Sequence, residues 1–240
     1  MKVINSPLSS ILQASIYYVD ACFLITLSQP KDNRNATVTQ FIEDAGQDNA
    51  TFAISNHVYT EVYNNIFKFI VKRALSTYRR HQTTIHKANG KTHSIPAAEV
   101  AHFIDLQAVQ YLNKVASRNF TFYKSNPENL FVPDLFKVAK QDASKIQLLD
   151  CFYKNAKDMY DALLYIINSQ GVAIKHLDST QKDHTDALTL QLDYQLDSTD
   201  AHHLAIAINN GCDKFITLDG DFNHPNFVVN TLPITIDKIA

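Results

Sequence analysis

The sequence predicts an α/β protein, a central and mainly parallel sheet with helices on both faces, carrying a helical insertion over about residues 65–170. Three observations lead there. Short apolar runs at 16–20, 51–55, 172–174 and 214–218 are separated by stretches of helical periodicity. Strands that alternate with helices pack as a parallel sheet between helical layers. Two of the runs also end in acids, Asp20 after Ile16-Tyr17-Tyr18-Val19 and Asp219 after Phe215-Ile216-Thr217-Leu218. Open α/β sheets carry their functional groups at the carboxyl ends of strands.

The elements follow in order. Residues 16–20 read as the first strand, and the apolar Cys22-Phe23-Leu24-Ile25 as a short helix or a continuation of that strand. Thr37 to about Ala45 reads as helix and Thr51–Ser55 as the second strand. Ser55-Asn56 supply an N-cap to a helix whose apolar stripe runs through Val58, Val62, Asn65/Ile66 and Phe69. The next hundred residues are helical and strand-poor, with Pro96 and Pro133 each read as a first-turn proline and Ser125–Asn129 as the clearest loop. Gly171 ends that block, and Val172-Ala173-Ile174 is the third strand. Helices are expected at 181–194 and 198–210, the second closed by Gly211, then a strand at 214–218 and another at Phe227-Val228-Val229.

The 240 residues, 45% of them hydrophobic, suffice for one well-packed domain, read here as 1–240 with the insertion inside it. A net charge of −2 excludes global attraction to polyanions, so any such partner must meet a local patch. Cys22, Cys151 and Cys212 are far apart and form no CxxC pair, as expected of thiols in a reducing compartment. No apolar stretch approaches the roughly 18 residues of a membrane span, and the N-terminus lacks a signal-peptide core. A cytoplasmic protein with no membrane partner is expected.

Four acids occupy comparable places. Asp20 and Asp219 end strands, Glu61 lies in the first turns of the helix after strand two, and Asp200 opens the helix Asp200-Ala201-His202-His203-Leu204. In a parallel sheet, strand ends and the starts of the following helices share one edge. Carboxylates gathered there repel unless a cation lies between them, and hard oxygen ligands suit Mg²⁺ or Mn²⁺. Metal-assisted hydrolysis is the reaction class that fits.

The segments YYVDACFL, SNHVYTEVYN, STDAHHLAIA and FITLDGDF resemble the acidic pattern of the PIN-domain family, which includes VapC-like toxin ribonucleases. The likeness covers roughly 14–70 and 170–230, and the block between lies outside it. It is sharpest in the Asp-Ala-x-x-Leu-Ala helix and the Thr-x-Asp-x-Asp-Phe strand end. The resemblance implies a three-layer α/β/α sandwich and Mg²⁺- or Mn²⁺-dependent cleavage of RNA. It makes Asp20, Glu61, Asp200 and Asp219 the catalytic metal ligands, Asp221 an auxiliary acid, and Thr217 a hydroxyl that orients a ligand or water. Relatives in the toxin branch commonly meet a small inhibitor protein, so an antitoxin-like partner and a homodimer both enter as expectations.

Between Glu61 and Glu99 there is no acid, while Lys68, Lys72, Arg73, Arg79, Arg80, Lys87 and Lys91 all fall there. On a continuous helix Lys68, Lys72 and Arg79 lie within about 20° of Glu61, a cationic stripe that RNA phosphates could follow. The plainer reading is a solvated helix whose aromatics Tyr63, Phe67 and Tyr78 pack inward. His202 and His203 point about 100° apart, so at most one faces the acids. His81, His86, His93 and His102 lack zinc-ligand spacing. Two other classes stay open: an RNA-binding or assembly subunit with little nuclease activity, and a phosphatase-type Mg²⁺ enzyme using Asp219-Gly220-Asp221.

Overall fold

The computed structural model describes residues 14–88, 91–92, 94–223 and 232–239. It divides into two compact units, the first made of residues up to Tyr59 and from Leu164 onward, the second of Thr60–Leu163.

The first unit is built on five parallel strands: β1 (Ile16–Val19), β2 (Thr51–Ser55), β3 (Ala173–Leu177), β4 (Lys214–Thr217) and β5 (Thr235–Lys238). Their order across the sheet is β3-β2-β1-β4-β5. Chain order therefore runs outward from β1 to β3, then returns to place β4 on the other side of β1. That reversal is a topological switch point, and the crevice at the carboxyl ends of β1 and β4 is the ligand position of open α/β sheets. The expected strand at 227–229 lies outside the described residues. β5, by contrast, went unread, because Thr235-Ile236-Asp237-Lys238 has no apolar run to announce it.

Both faces of the sheet are covered, as the alternation along β1 shows. Tyr17 meets Phe41 and Phe52 at 6.3 and 6.4 Å between ring centroids. Phe23 of α1 (Ala21–Leu27) and Phe41 of α2 (Asn35–Gln47) complete that aromatic layer. Tyr18, one residue on, points to the opposite face. There it stacks on Phe215 at 5.4 Å, and its hydroxyl hydrogen-bonds Ser55 Oγ and His203 Nδ1, each at 2.7 Å. His203 belongs to α9 (Ser198–Asn209), which with α8 (Gln181–Tyr194) lies between β3 and β4 in the chain. The expected sandwich is thus present around an all-parallel sheet.

Caps decide where these helices begin. Ser55 Oγ accepts from the Val58 amide at the start of α3 (Asn56–Lys87). Thr180 and Asp183 form a reciprocal capping box on α8, and Asp197 accepts from the amides of Thr199 and Asp200 on α9. Asp183, fully buried, also receives Asn209 Nδ2 at 2.8 Å, which ties α8 to α9.

The second unit is helical. It holds the chain of α3 from Thr60 on, α4 (Ala97–Val100), α5 (Leu106–Asn119), α6 (Val132–Ala139) and the part of α7 (Asp150–Ser169) up to Leu163. Val109, Leu112 and Ala116 form one buried stripe of α5, with Asp105 capping it through the Ala108 amide. Pro133 stands in the first turn of α6 as expected, but Pro96 lies one residue outside α4, in extended backbone. Part of the expected loop at 125–129 closes into a 3-10 turn at Pro127–Asn129. Three aromatics of α3 pack inward: Phe67 stacks on Tyr153 and meets Phe136 edge-on, Tyr63 donates to the Tyr153 carbonyl, and Tyr78 is buried, whereas Phe69, expected in the apolar stripe, is exposed under Arg73. Among the described residues no helix is long and apolar enough to cross a membrane.

One close approach fixes the path from α7 into the sheet. A Cβ on Gly46 of α2 would lie 1.9 Å from the carbonyl oxygen of Gln170. Gly46→Ala should therefore destabilise the protein by about 1–3 kcal/mol in urea melts, despite a helix-propensity gain of roughly 1 kcal/mol.

Candidate metal centre

At the carboxyl end of β1, Asp20 continues the ladder by donating its amide to the Ile216 carbonyl, then caps α1 by accepting the Ala21 amide on Oδ1 at 2.6 Å. Its Oδ2 accepts from Thr217 Oγ1 at 2.9 Å and from the Cys22 thiol at 3.0 Å. The Thr217 hydroxyl, fully buried, accepts in turn from the Asp219 amide at 3.0 Å. One hydroxyl thus joins the acid after β1 to the acid after β4. Asp219 Oδ1 then accepts from the Asp221 amide at 2.9 Å, which folds the turn around Gly220.

Asp200 enters from the first turn of α9, its amide held by the Asp197 cap. It is buried, and burial, reinforced by the negative charges of Asp197, Asp20 and Asp219, raises its pKa from an ordinary 3.8 to about 7, with nearby His203 opposing. Carboxylate oxygens of Asp200, Asp219 and Asp221 all lie within 4.8 Å of one another. Three hard oxygen donors at that spacing, one of them reluctant to ionise alone, fit a divalent cation such as Mg²⁺ or Mn²⁺. The Cys22 thiol beside them is pushed up to about 12, by burial first and by Asp20 second, and so stays protonated.

The positions expected from the sequence divide as follows. Asp200 and Asp219 converge, and Asp221, expected as auxiliary, completes their triad. Asp20 stands next to them in the hydrogen-bond and charge network, with its oxygens directed to Ala21, Thr217 and Cys22. Glu61, in the first turns of α3, is half-buried, and its carbonyl accepts from Asn65 Nδ2. Two cations of the α3 stripe are engaged within the second unit. Arg79 donates to the Tyr123 and Lys124 carbonyls and covers the Tyr123 ring, and Lys72 donates to the Glu128 carbonyl. Of the paired histidines, buried His203 sits on Tyr18 and His202 turns toward His57 and His184. Sequence reasoning passed over Cys22, whose place two residues after Asp20 was the available signal.

Fold and centre together define a class: an α/β fold with a parallel sheet and an acidic strand edge whose carboxylates could hold a metal ion. Residues 141–228, which include Asp200, Asp219 and Asp221, match the family model described as PIN domain. That fold is commonly metal-dependent. No curated protein and no solved structure matches the chain.

The raised pKa of Asp200 has a thermodynamic consequence for the protein with metals chelated. Below 3.8 the native and unfolded chains both hold the proton, and above about 7 both have lost it. In between only the native state holds it, so the group's contribution to stability is lost as pH rises through that window. Asp200→Asn removes this loss. Relative to wild type, its Tm should gain several degrees between pH 4 and pH 8, at about 2–4 °C per kcal/mol, and an unchanged difference across that range refutes the assignment.

Proposed function

We propose that the protein is a metal-dependent endoribonuclease that hydrolyses RNA phosphodiester bonds at the edge formed by β1 and β4. The single observation that carries this reading is the convergence of Asp200, Asp219 and Asp221 within 4.8 Å, inside the segment that matches the PIN domain. These three would hold Mg²⁺ or Mn²⁺, which when bound neutralises charge on the phosphate and lowers the pKa of a water. Asp200 gives up its proton on binding the cation, so affinity should strengthen as pH rises toward and past 7. Thr217 ties the Asp20 carboxylate to the backbone amide of Asp219, a positioning part. Glu61 and the cations Lys68, Lys72 and Arg79 are not needed for this proposal.

Asp219→Asn is the informative variant. Its Oδ1 can still accept the Asp221 amide, so the turn persists while a ligand charge is lost. Asp20→Asn is a poorer choice, because an amide NH₂ in place of Oδ2 would face the Thr217 hydroxyl and the Cys22 thiol. Incubated with mixed single-stranded RNA and Mn²⁺, the wild type should cut and Asp219→Asn should cut at least about 100-fold more slowly. RNA retarded by the wild type but left intact under Mn²⁺ and Mg²⁺ would mark an RNA-binding subunit instead.

A further inference from the structure

Beside the acids, three histidines from three separate elements meet at the same edge. His57 stands at the start of α3, directly after β2; His184 lies in the first turns of α8, after β3; His202 is on α9. The His202 ring is 4.4 Å from His57 and 4.3 Å from His184 between centroids, tilted to the first and edge-on to the second. His57 and His184 are exposed and His202 is half-buried, so the cluster forms a ring-walled surface. The arrangement is fixed from below. Ser179 Oγ lies 2.9 Å from His202 Nε2, and buried Asp183, next to His184, is held by Thr180 and Asn209.

The position along the sheet is informative. Asp20 follows β1, while His57 follows its neighbour β2 and His184 follows β3. Adjacent strands are about 4.8 Å apart, so the rings begin roughly one strand spacing from Asp20 and continue to a second. His202 is two residues after Asp200, about 200° around α9, which puts it on the other flank of that helix. Going along the carboxyl edge from β1 toward β2 and β3 thus leads from Asp20 to these rings.

We propose that His57, His202 and His184 form a stacking subsite that takes an unpaired base of single-stranded RNA beside the metal centre. This rests on the nuclease reading of that centre. Rings in contact at 4.3–4.4 Å are packed as aromatic surfaces, and every base offers a π-face to such a platform. His57 also has its pKa held below the ordinary value, by burial first and then by His203 and His184, so its ring is a neutral face at pH 7. The subsite gives the enzyme a grip on the base next to the scissile phosphate without adding cationic side chains to an acidic edge.

Binding of a short mixed-sequence single-stranded RNA, measured by fluorescence anisotropy in EDTA at pH 7.5, separates grip from cleavage. His57→Ala and His184→Ala should each weaken binding about 5–10-fold, and His57→Phe should retain wild-type affinity, because a phenyl ring stacks without nitrogen atoms. One abasic residue, moved along the strand, should erase the His57→Ala penalty at a single position. Alanine variants that bind as the wild type overturn the proposal. So does a phenylalanine variant as weak as alanine, which points to hydrogen bonding, or RNA binding that needs added Zn²⁺, which points to a cation held by the imidazoles. The two readings fail separately: RNA uncut under Mn²⁺ with the phenylalanine rescue intact removes the nuclease, and RNA cut normally with alanine variants binding as wild type removes only the subsite.

Discussion

The repulsion among carboxylates gathered at the β1–β4 edge is the constraint that the rest of the first unit accommodates. Burial, reinforced by the charges of Asp197, Asp20 and Asp219, pushes the Asp200 carboxyl up to about 7. Such a group is costly for a fold unless something is gained by it. The protein holds it through hydrogen bonds of the surrounding backbone and side chains. The β1–β4 ladder extends through the Asp20 amide, and the Thr217 hydroxyl bridges Asp20 to the backbone of Asp219. The Asp197 cap fixes the first turn of α9. Each of these contacts positions an acid without neutralising it, which leaves the negative potential intact for a cation.

Topology supplies the gathering. With β4 inserted beside β1, two segments some two hundred residues apart in the chain end side by side, and α9 enters immediately before β4. The opposite faces of β1 give this edge its rigidity. Tyr17 is locked among Phe23, Phe41 and Phe52 on one side, and Tyr18 is locked between Phe215, Ser55 and His203 on the other. The Tyr18 hydroxyl is notable in this respect, since it couples β2 to α9 directly beneath the acids. Precise placement at the edge is thus inherited from aromatic packing in the sheet.

What could be read in advance followed from whether the signal was local. The bounds of α8 at 181–194 were legible because the Thr180–Asp183 capping box marks its start, and those of α9 because Asp197 and Gly211 bracket it. The acids at strand ends were legible because an acid after an apolar run is conspicuous. The split of the chain at Tyr59/Thr60 was not, since α3 runs through it without a break in helical periodicity. The part of Arg79 was hidden because its partners are backbone carbonyls at 123 and 124, which leave no trace in side-chain identity. The histidine cluster joins positions 57, 184 and 202, and no spacing rule connects those three.

Among the described residues, the Cys22 thiol is a nucleophile-like group at this edge, and its state narrows the chemistry open there. Cys22 lies 3.0 Å from Asp20 and 3.4 Å from the Thr217 hydroxyl, close enough to the acids to invite a covalent mechanism. A thiol attacks as thiolate, and this one is held protonated by burial and by the neighbouring carboxylate, with a pKa of about 12. It serves as a donor to Asp20 and as an acceptor from the Leu218 amide, so it closes the β4 side of the network. Asp219 and Asp221, turned around Gly220, face each other and Asp200, an arrangement that suits ligation far better than attack by one carboxylate on phosphorus. The thiol is thus a structural donor, and the carboxylates of Asp200, Asp219 and Asp221 are a set of oxygen donors suited to a divalent cation, the kind of ion that activates water where it is bound.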